Sequence, residues 1–235
     1  MPRDGEIPSE LELDGTSVPI AVQWNGRARK LTITVDHTQR QVRLVLPHRV
    51  DIEEGLAFCR KNGDWIVNRL AALPQPIPFA HGELLPLGGT SYEICHLPEA
   101  RRGVWLEEDR LCVSGHEDFL PRRVADFVRR FALETIQPMT REKAQRVERP
   151  VRRVTLRESR TRWGSCSPQG DLSFCWRLIF APIKVLDYVV AHEVAHLVHM
   201  NHSERFWKLC GRLTPEVAAP RRWLVRHGHT LWRYG

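Results

Sequence analysis

The chain has 235 residues and a formal net charge of +7, and its 42% hydrophobic and 27% charged residues are ordinary globular proportions. No apolar run approaches the ~18 residues of a transmembrane helix, and the acidic N-terminal sequence MPRDGEIPSELELDG lacks the apolar region of a signal peptide. These features argue against a membrane-spanning or secreted protein, so we expect a cytoplasmic protein with no membrane partner.

Three short strands are predicted near the N-terminus, because three runs are rich in Val, Ile, Leu and Thr. They occupy residues 18–25, 29–36 and 41–47. Asn25-Gly26 separates the first two strands, and the residues from Asp36 to Arg40 separate the second from the third.

A helix is predicted next, from about 51 to 72, and Gly63 weakens its middle. Further strand-like runs follow, of which residues 104–106 pair plausibly with 111–113. We therefore predict that residues 1–115 form a β-rich N-terminal part with one helix, and that this part and residues 116–235 form one integrated unit.

The pattern becomes helical from 120 to about 147, and Pro138 is expected to kink or split this helix. Its apolar side consists of Val124, Phe127, Val128, Phe131 and Ile136. Its other sides carry Arg122, Arg123, Arg129 and Arg130. Two strands are then predicted at about 151–159 and 171–180, and Pro182 suits the first turn of a helix that runs to about 200.

Charge is unevenly distributed along the chain. Residues 121–162 carry 13 basic and 5 acidic side chains, and residues 205–235 carry 7 basic and 1 acidic. These two basic segments flank a mildly acidic centre and can attract nucleic acid or acidic partners. The alternative, a pair of solvated arginine-rich helices, is favoured by the sequence alone.

The mildly acidic centre contains His192-Glu193-Val194-Ala195-His196, an H-E-x-x-H motif on an apolar helical segment. Residues four apart lie one above the other on a helix, so both imidazoles can converge on one zinc ion. Glu193 is rotated by ~100° from His192, which lets its carboxylate reach a metal-bound water. Buried ionisable groups are costly unless they are paired or bound to a metal, which favours a metal site over ordinary core histidines.

The third metal ligand must come from beyond the helix. His199 lies ~10.5 Å along the helix axis from His192, too far to share an ion with it while the helix continues. His202 is better placed, because Asn201 tolerates the left-handed conformation that ends a helix and Ser203 can cap the next one. We therefore expect His202 to complete the site and His199 to be an outer or surface residue.

Three runs between Arg162 and Trp207 carry a resemblance to a known family. They are RWGSCS, WRLIFAP and DYVVAHEVAHLVHMNHSERFW. Together they closely resemble the YgjP-like zinc metallopeptidases, distant relatives of the SprT-type proteases in the zincin group. The resemblance is strongest over about 150–230 and extends more loosely upstream.

This resemblance implies an α+β fold, with a zincin-like catalytic half at 116–235 in which the active-site helix lies beside a small sheet. It implies that His192, His196 and His202 bind zinc and that Glu193 is catalytic. A strand beside the helix would present its backbone edge to an extended protein or peptide substrate.

The chain departs from related patterns at several positions. Cys175 stands where an asparagine is expected before Trp176, so a polar contact is in doubt there. The spacing of the histidines equals that of metzincins, but His199 replaces their glycine and no methionine follows His202. Glu216 is the only glutamate available as a gluzincin-like ligand after Glu204, and it ranks behind His202.

Arg162 is a candidate for substrate binding, because it can hold a substrate carboxylate or stabilise an oxyanion. The alternative is a structural turn with Trp163 in the core, and the two hypotheses stay equal.

The sequence thus predicts a zinc-dependent metallopeptidase that hydrolyses peptide bonds through metal-activated water, since a purely structural zinc site needs no general base such as Glu193. The rival hypothesis is a nucleic-acid-binding module with a structural or vestigial zinc site. It would use the arginines of 121–162 and of the C-terminal run RRWLVRH. Both can hold together, because relatives include proteases that act on proteins attached to DNA.

Overall fold

A computed structural model describes residues 7–36, 39–159 and 161–235. The middle of the turn predicted from Asp36 to Arg40, the first residues of the N-terminal sequence and Arg160 of the first basic segment lie outside the described residues. The described part of the chain contains six α-helices and three small sheets, which confirms the α+β class and the β-rich N-terminal part. It has no helix with the length and hydropathy needed to cross a membrane.

The chain divides into two compact units, Met1–Gln75 and Pro76–Gly235. The change from strand to helix pattern predicted at 115/116 therefore lies inside the second unit. The reason is that the strands just before it share one hydrophobic core with the helices that follow; Leu111 and Val113, for example, belong to the same buried cluster as Val124.

The first unit contains a four-stranded sheet of order β1-β2-β4-β3 and two helices. Its strands are β1 (Glu10–Leu13), β2 (Thr16–Trp24), β3 (Thr32–Asp36) and β4 (Gln41–Leu46), of which β2 and β4 are parallel. The three predicted strands correspond to β2, β3 and β4, whereas β1, in the acidic N-terminal sequence, was not predicted. Alternating buried residues, such as Val42, Leu44 and Leu46 on β4, face the helices.

The single helix predicted at 51–72 is interrupted. It consists of α1 (Ile52–Lys61) and α2 (Gly63–Ala71), which meet at Asn62. The Asn62 side-chain amide donates to the carbonyl of Phe58, and a Cβ at position 63 would lie 2.5 Å from the Asp14 carboxylate. Gly63 therefore marks a close approach to the β1–β2 turn, a tertiary contact that helical periodicity does not reveal.

The second unit begins with a four-stranded sheet of order β5-β6-β8-β7. Its strands are β5 (Leu84–Leu87), β6 (Thr90–Leu97), β7 (Val104–Glu107) and β8 (Arg110–Ser114). The predicted pairing of 104–106 with 111–113 is confirmed, with Val104 opposite Val113 and Leu106 opposite Leu111. Gly88 and Gly89, with φ of 62° and 97°, close the β5–β6 hairpin in a conformation that favours glycine.

Helix α3 (Leu120–Arg146) follows and packs its apolar side into the core. Pro138 lies inside it, yet the helix is not split there, contrary to the alternative of two helices. Proline removes one hydrogen bond of the helical ladder. Burial of Ile136 and Thr140 on either side of it supports the continuous helix, and the Thr140 hydroxyl donates to the Ile136 carbonyl.

The remaining elements surround the histidine motif. The third sheet has the order β10-β11-β9, with β9 (Arg153–Arg157), β10 (Gly164–Cys166) and β11 (Asp171–Cys175). Three helices follow, α4 (Ile183–His196), α5 (Glu204–Leu213) and α6 (Ala218–His227). The strand predicted at 171–180 ends at Cys175, because Trp176–Phe180 forms a buried 3₁₀ turn beneath α4.

Candidate metal centre

Three histidines converge at the end of α4. His192 and His196 lie on the last turns of this helix, and His202 lies in the loop that leads to α5. Their ring centroids are 4.9, 5.0 and 4.8 Å apart, so the three imidazoles form a nearly equilateral triangle. Their potential ligand atoms all lie within 4.8 Å of one another, and they form the single such group among the described residues.

The loop after α4 folds back in a way that the sequence predicted only in part. Helix α4 ends at His196, several residues earlier than expected, and Asn201 does not adopt the left-handed conformation assigned to it. The backbone N–H of His199 instead bonds to the carbonyl of Ala195 and completes one last turn. Ser203 caps α5 as expected, its hydroxyl accepting a hydrogen bond from the backbone of Phe206.

Two of the histidines are spaced as ligands of one metal ion can be. The Nε2 atoms of His192 and His202 are 3.1 Å apart, close to the roughly 3.3 Å that separates two nitrogens bound to one tetrahedral zinc at ~2.0–2.1 Å each. The Nδ1 atom of His196 lies 3.0 Å from the carbonyl oxygen of His199. A proton on Nδ1 would satisfy that carbonyl and leave Nε2 free for a metal.

Burial also keeps two of the rings neutral. It lowers the pKa of His192 to about 4, with smaller contributions from His196, His202 and Arg221. Burial likewise lowers the pKa of His196. A neutral imidazole offers the lone pair that a metal ion requires, so the apolar surroundings prepare both rings for coordination at neutral pH.

Two aromatic side chains, Phe206 and Trp207, pack against the three imidazoles. The fully buried ring of Phe206 lies 4.5–4.9 Å from all three imidazoles, and Trp207 stacks on His202 at 5.6 Å with a tilt of 25°. Both aromatic residues belong to the first turn of α5. Sequence reasoning did not identify their role, although both residues belong to the HSERFW run that begins at His202.

Glu193 lies beside the triangle and is only 6% exposed. Burial raises the pKa of its carboxyl group to about 7, while the positive charge of Arg162 opposes this shift. A buried carboxyl group whose pKa is close to neutrality can both accept and release a proton.

Gly164, on the edge strand β10, is a site residue that sequence reasoning missed. A Cβ atom at this position would lie 2.6 Å from both Cγ and Oε1 of Glu193. Only glycine therefore allows the edge strand to approach the carboxylate so closely. The signal was present as the glycine of the RWGSCS run, but its meaning depends on a contact with α4.

This geometry agrees with the family comparison. The model of the YgjP-like metallopeptidase domain family matches residues 29–227, which is most of the chain. The chain belongs to this family. Searches of curated proteins and of solved structures find no match. Membership implies a bound metal ion, and the three histidines are residues of this YgjP-like chain that can hold one.

In this YgjP-like protein, Arg162 and Trp163 lie in different surroundings. The Arg162 side chain is exposed, and its charge acts on Glu193. Trp163 is half-buried and packs against the C-terminal segment, with its ring 6.3 Å from that of Trp232. Gly228 lies close beneath it, since a Cβ there would lie 3.0 Å from the indole.

Arg177 links Glu158, near the candidate site, to Tyr234 at the C-terminus. This residue is 7% exposed and lies between two indoles, with its guanidinium 4.4 Å from Trp176 and 4.9 Å from Trp232. It donates to Glu158 at 3.1 Å and to the carbonyl of Tyr234. Burial alone would raise the pKa of Glu158, but hydrogen bonds from Trp176 and Arg177 outweigh it and lower that pKa.

Cys175 occupies the position where an asparagine was expected. Its side chain is buried, and burial raises the pKa of its thiol. Its backbone N–H donates to the carbonyl of Trp163 at 2.8 Å, which ties β11 to the RWG segment without a side-chain amide.

The two basic segments of the YgjP-like protein differ in their surroundings. On α3, Arg123 donates to the carbonyl of Ser114 at 2.7 Å, and Arg129 and Arg130 pair with acidic residues one turn away at 3.5 and 3.9 Å. On α6, Arg221 lies over the ring of Trp207 at 5.1 Å. Glu216, which precedes α6, is outside the histidine group.

Proposed function

We propose that this chain is a zinc-dependent peptidase, in which His192, His196 and His202 hold the ion and Glu193 acts as general base. The observation that carries the proposal is the burial of the Glu193 carboxyl group beside three converging imidazoles. A structural zinc site has no use for such a group, and burying a carboxyl without a partner is costly. A catalytic site, in contrast, requires a base that can exchange a proton near neutral pH.

Zinc is the ion that the donor set favours. Three neutral nitrogen donors with an open fourth position are typical of catalytic zinc sites, whereas magnesium and calcium prefer oxygen ligands. His202 is exposed while His192 and His196 are half-buried, so the open side of the triangle faces solvent. Water and substrate can therefore reach it.

Bound zinc would supply a water molecule whose pKa is lowered towards ~7. Glu193 would accept a proton from the water that attacks the substrate carbonyl carbon, and would give that proton to the amine when the carbon–nitrogen bond breaks. The products are a carboxylate and an amine, and Glu193 returns to its starting state.

Strand β10 is suited to hold an extended peptide. It pairs with β11 on one side only and lies at the edge of its sheet. The backbone groups of an edge strand can pair with an added strand, and Gly164 places this edge directly against Glu193. A polypeptide bound along β10 would thus present its carbonyl groups to the base.

Arg162 would complete the site at the entrance. Its guanidinium is exposed and acts electrostatically on Glu193, so it is positioned to bind a substrate carbonyl oxygen or carboxylate.

Replacement of Glu193 by Gln tests this proposal. The change keeps the shape of the side chain and removes the base, so hydrolysis of a quenched fluorescent peptide by the zinc-loaded protein should fall by roughly 10²–10⁴-fold. Zinc content, measured by elemental analysis, and the far-UV circular dichroism should stay the same.

Glu148→Gln is a matched control, since Glu148 is exposed and lies outside the site. It should hydrolyse the peptide at the wild-type rate. Equal rates for wild type and Glu193→Gln would show that Glu193 is not the base.

A further inference from the structure

Helix α6 carries an exposed basic surface that the catalytic proposal does not use. Four of its exposed residues form what we call the α6 ridge: Arg221, Arg222, Val225 and Arg226. No acidic residue occurs between Val217 and Gly235. Within the described parts of the chain, none of the three arginines takes part in an ion pair. Their charges are therefore available to a partner.

The α6 ridge lies next to the metal centre. The Arg221 guanidinium is 5.1 Å from the ring of Trp207, and that ring stacks on His202 at 5.6 Å. The indole of Trp207 thus lies between Arg221 and His202, one of the proposed metal ligands. An extended polypeptide advances ~3.3 Å per residue, so a side chain about three positions from the cleaved bond can reach it.

The acidic groups near this surface do not neutralise it. Glu204 of α5 pairs with Lys208 at 2.6 Å, and Asp187 of α4 pairs with the buried Lys143 at 2.7 Å. Glu216 precedes the helix and lines a separate groove with Asp187 and Thr214. The arginines of α3, in contrast, are largely held by their own carbonyl and carboxylate partners. Helix α6 therefore keeps unneutralised positive charge close to the metal centre, on the side of Trp207.

The shape of the ridge favours a polypeptide partner. A shallow groove of about 310 Å³ runs between Ala218, the arginines and Val225, and Val225 is 80% exposed. An exposed valine among guanidinium groups matches a partner that alternates carboxylates with aliphatic side chains. A phosphate backbone would leave this apolar surface uncovered.

We propose that the α6 ridge is an exosite that binds an acidic, leucine- or valine-containing segment of the polypeptide substrate, close to the cleaved bond. Carboxylates of the substrate pair with Arg222 and Arg226, which lie four residues apart and share one side of the helix, while an aliphatic side chain covers Val225. Arg221 extends the positive surface towards the cleft. This inference rests on the proposed peptidase function, and it names the substrate class as acidic polypeptides.

A binding experiment tests the exosite independently of catalysis. A short fluorescein-labelled peptide rich in Glu and Leu is titrated by anisotropy with the zinc-loaded Glu193→Gln protein, and a second peptide has every Glu replaced by Gln. The acidic peptide should bind at least about tenfold more tightly, and its affinity should fall as salt is raised. Adding Arg222→Glu and Arg226→Glu should remove most of this preference while the zinc content stays the same.

The matched control is Arg110→Glu with Arg141→Glu. These two arginines lie on β8 and α3, are also exposed, and have no ion-pair partner within the described residues. The control changes the net charge by the same amount as the Arg222→Glu, Arg226→Glu variant, because each replaces two arginines by glutamate. This control should keep the preference for the acidic peptide. An equal loss in the control would overturn the exosite in favour of a general charge effect.

The remaining outcomes separate the exosite from the catalytic proposal. If wild-type protein cleaves peptides without preference for the acidic one, and binding shows none either, the exosite is wrong and the peptidase stands. If no peptide is cleaved but the acidic peptide binds through Arg222 and Arg226, the exosite stands and the catalytic role fails. If a DNA oligonucleotide of equal charge displaces the acidic peptide at lower concentration and depends on the same arginines, the surface binds nucleic acid instead.

Discussion

The two walls of the candidate site are built in different ways. The helical wall, from α4 to the start of α5, carries the histidines and Glu193 within a short stretch of chain. The strand wall consists of β10 and Arg162, and it is held by Glu158, Arg177 and the C-terminal turn. The helical wall depends on contacts between residues close in sequence, whereas the strand wall depends on partners up to 57 residues apart.

This difference separates two kinds of failure. Damage to the helical wall should remove the metal, because the three histidines proposed as its ligands are there. Damage to the strand wall should leave the metal in place and misposition the substrate or the base. The following predictions use zinc content and turnover as separate measurements of the two walls.

Replacement of His202 by Ala should have the largest effect on the helical wall. It removes one of the three nitrogen donors, so zinc affinity should fall by more than the roughly 10–100-fold that the loss of an outer hydrogen bond costs. Zinc competition with a chelator measures the change.

His199→Ala is the control for this prediction, since His199 contributes its backbone carbonyl to His196 and its side chain is outside the histidine group. Its zinc affinity should stay close to that of the wild type. A site emptied by His199→Ala and left full by His202→Ala would reverse the ligand assignment.

Replacement of Gly164 by Ala should have the next largest effect, and on turnover rather than metal. The new methyl group would lie 2.6 Å from Glu193 Oε1, so the strand or the carboxylate must shift. A displacement of about 1 Å in a catalytic group can cost on the order of 10²-fold in rate. Peptide hydrolysis should fall by this factor while zinc content is unchanged.

Gly211→Ala on α5 is the matched control. No atom lies within 4 Å of the added methyl group there, and alanine favours a helix over glycine. This variant should be slightly more stable and fully active. Wild-type turnover in Gly164→Ala would show that β10 does not lie against the working position of Glu193.

Replacement of Arg177 by Gln should affect turnover less than His202→Ala or Gly164→Ala does, because Arg177 acts on the strand wall only through its neighbours. It would leave Glu158 without its guanidinium partner and Trp232 without its cation, and the free energy of unfolding should fall by roughly 1–3 kcal/mol. Well below the unfolding temperature, KM should rise several-fold more than kcat falls, since Arg162 and Trp163 loosen.

Arg152→Gln provides the comparison for Arg177. Arg152 pairs with Asp171 on the same sheet, but its side chain is 66% exposed, so its loss should lower the free energy of unfolding much less than the loss of Arg177. Equal effects of the two substitutions on KM would mean that Arg177 has no positioning role.

Sequence pattern identified three of the four strands of the first unit and the apolar side of α3, because both depend on local periodicity. It was wrong about the helix at 51–72, since the break at Asn62 follows from the approach of Gly63 to Asp14. It was also wrong about Asn201, because the turn after α4 is closed by the His199 N–H and not by a left-handed residue. Both errors concern contacts or hydrogen bonds that spacing does not encode.

Sequence by itself determined which residues could meet on the helical wall. Positions four apart on a helix share one side, and the loop before the capped helix α5 brings His202 back to that side. Tertiary structure alone decided what faces them. Gly164 meets Glu193 across a sheet edge, and Arg177 lies between indoles from two separate segments while bonding to residues 19 and 57 positions away. Among the described residues, tertiary structure also left Arg221, Arg222 and Arg226 of α6 without an ion pair, whereas Arg123, Arg129 and Arg130 of α3 found partners. Only packing determines which neighbours a charged side chain meets.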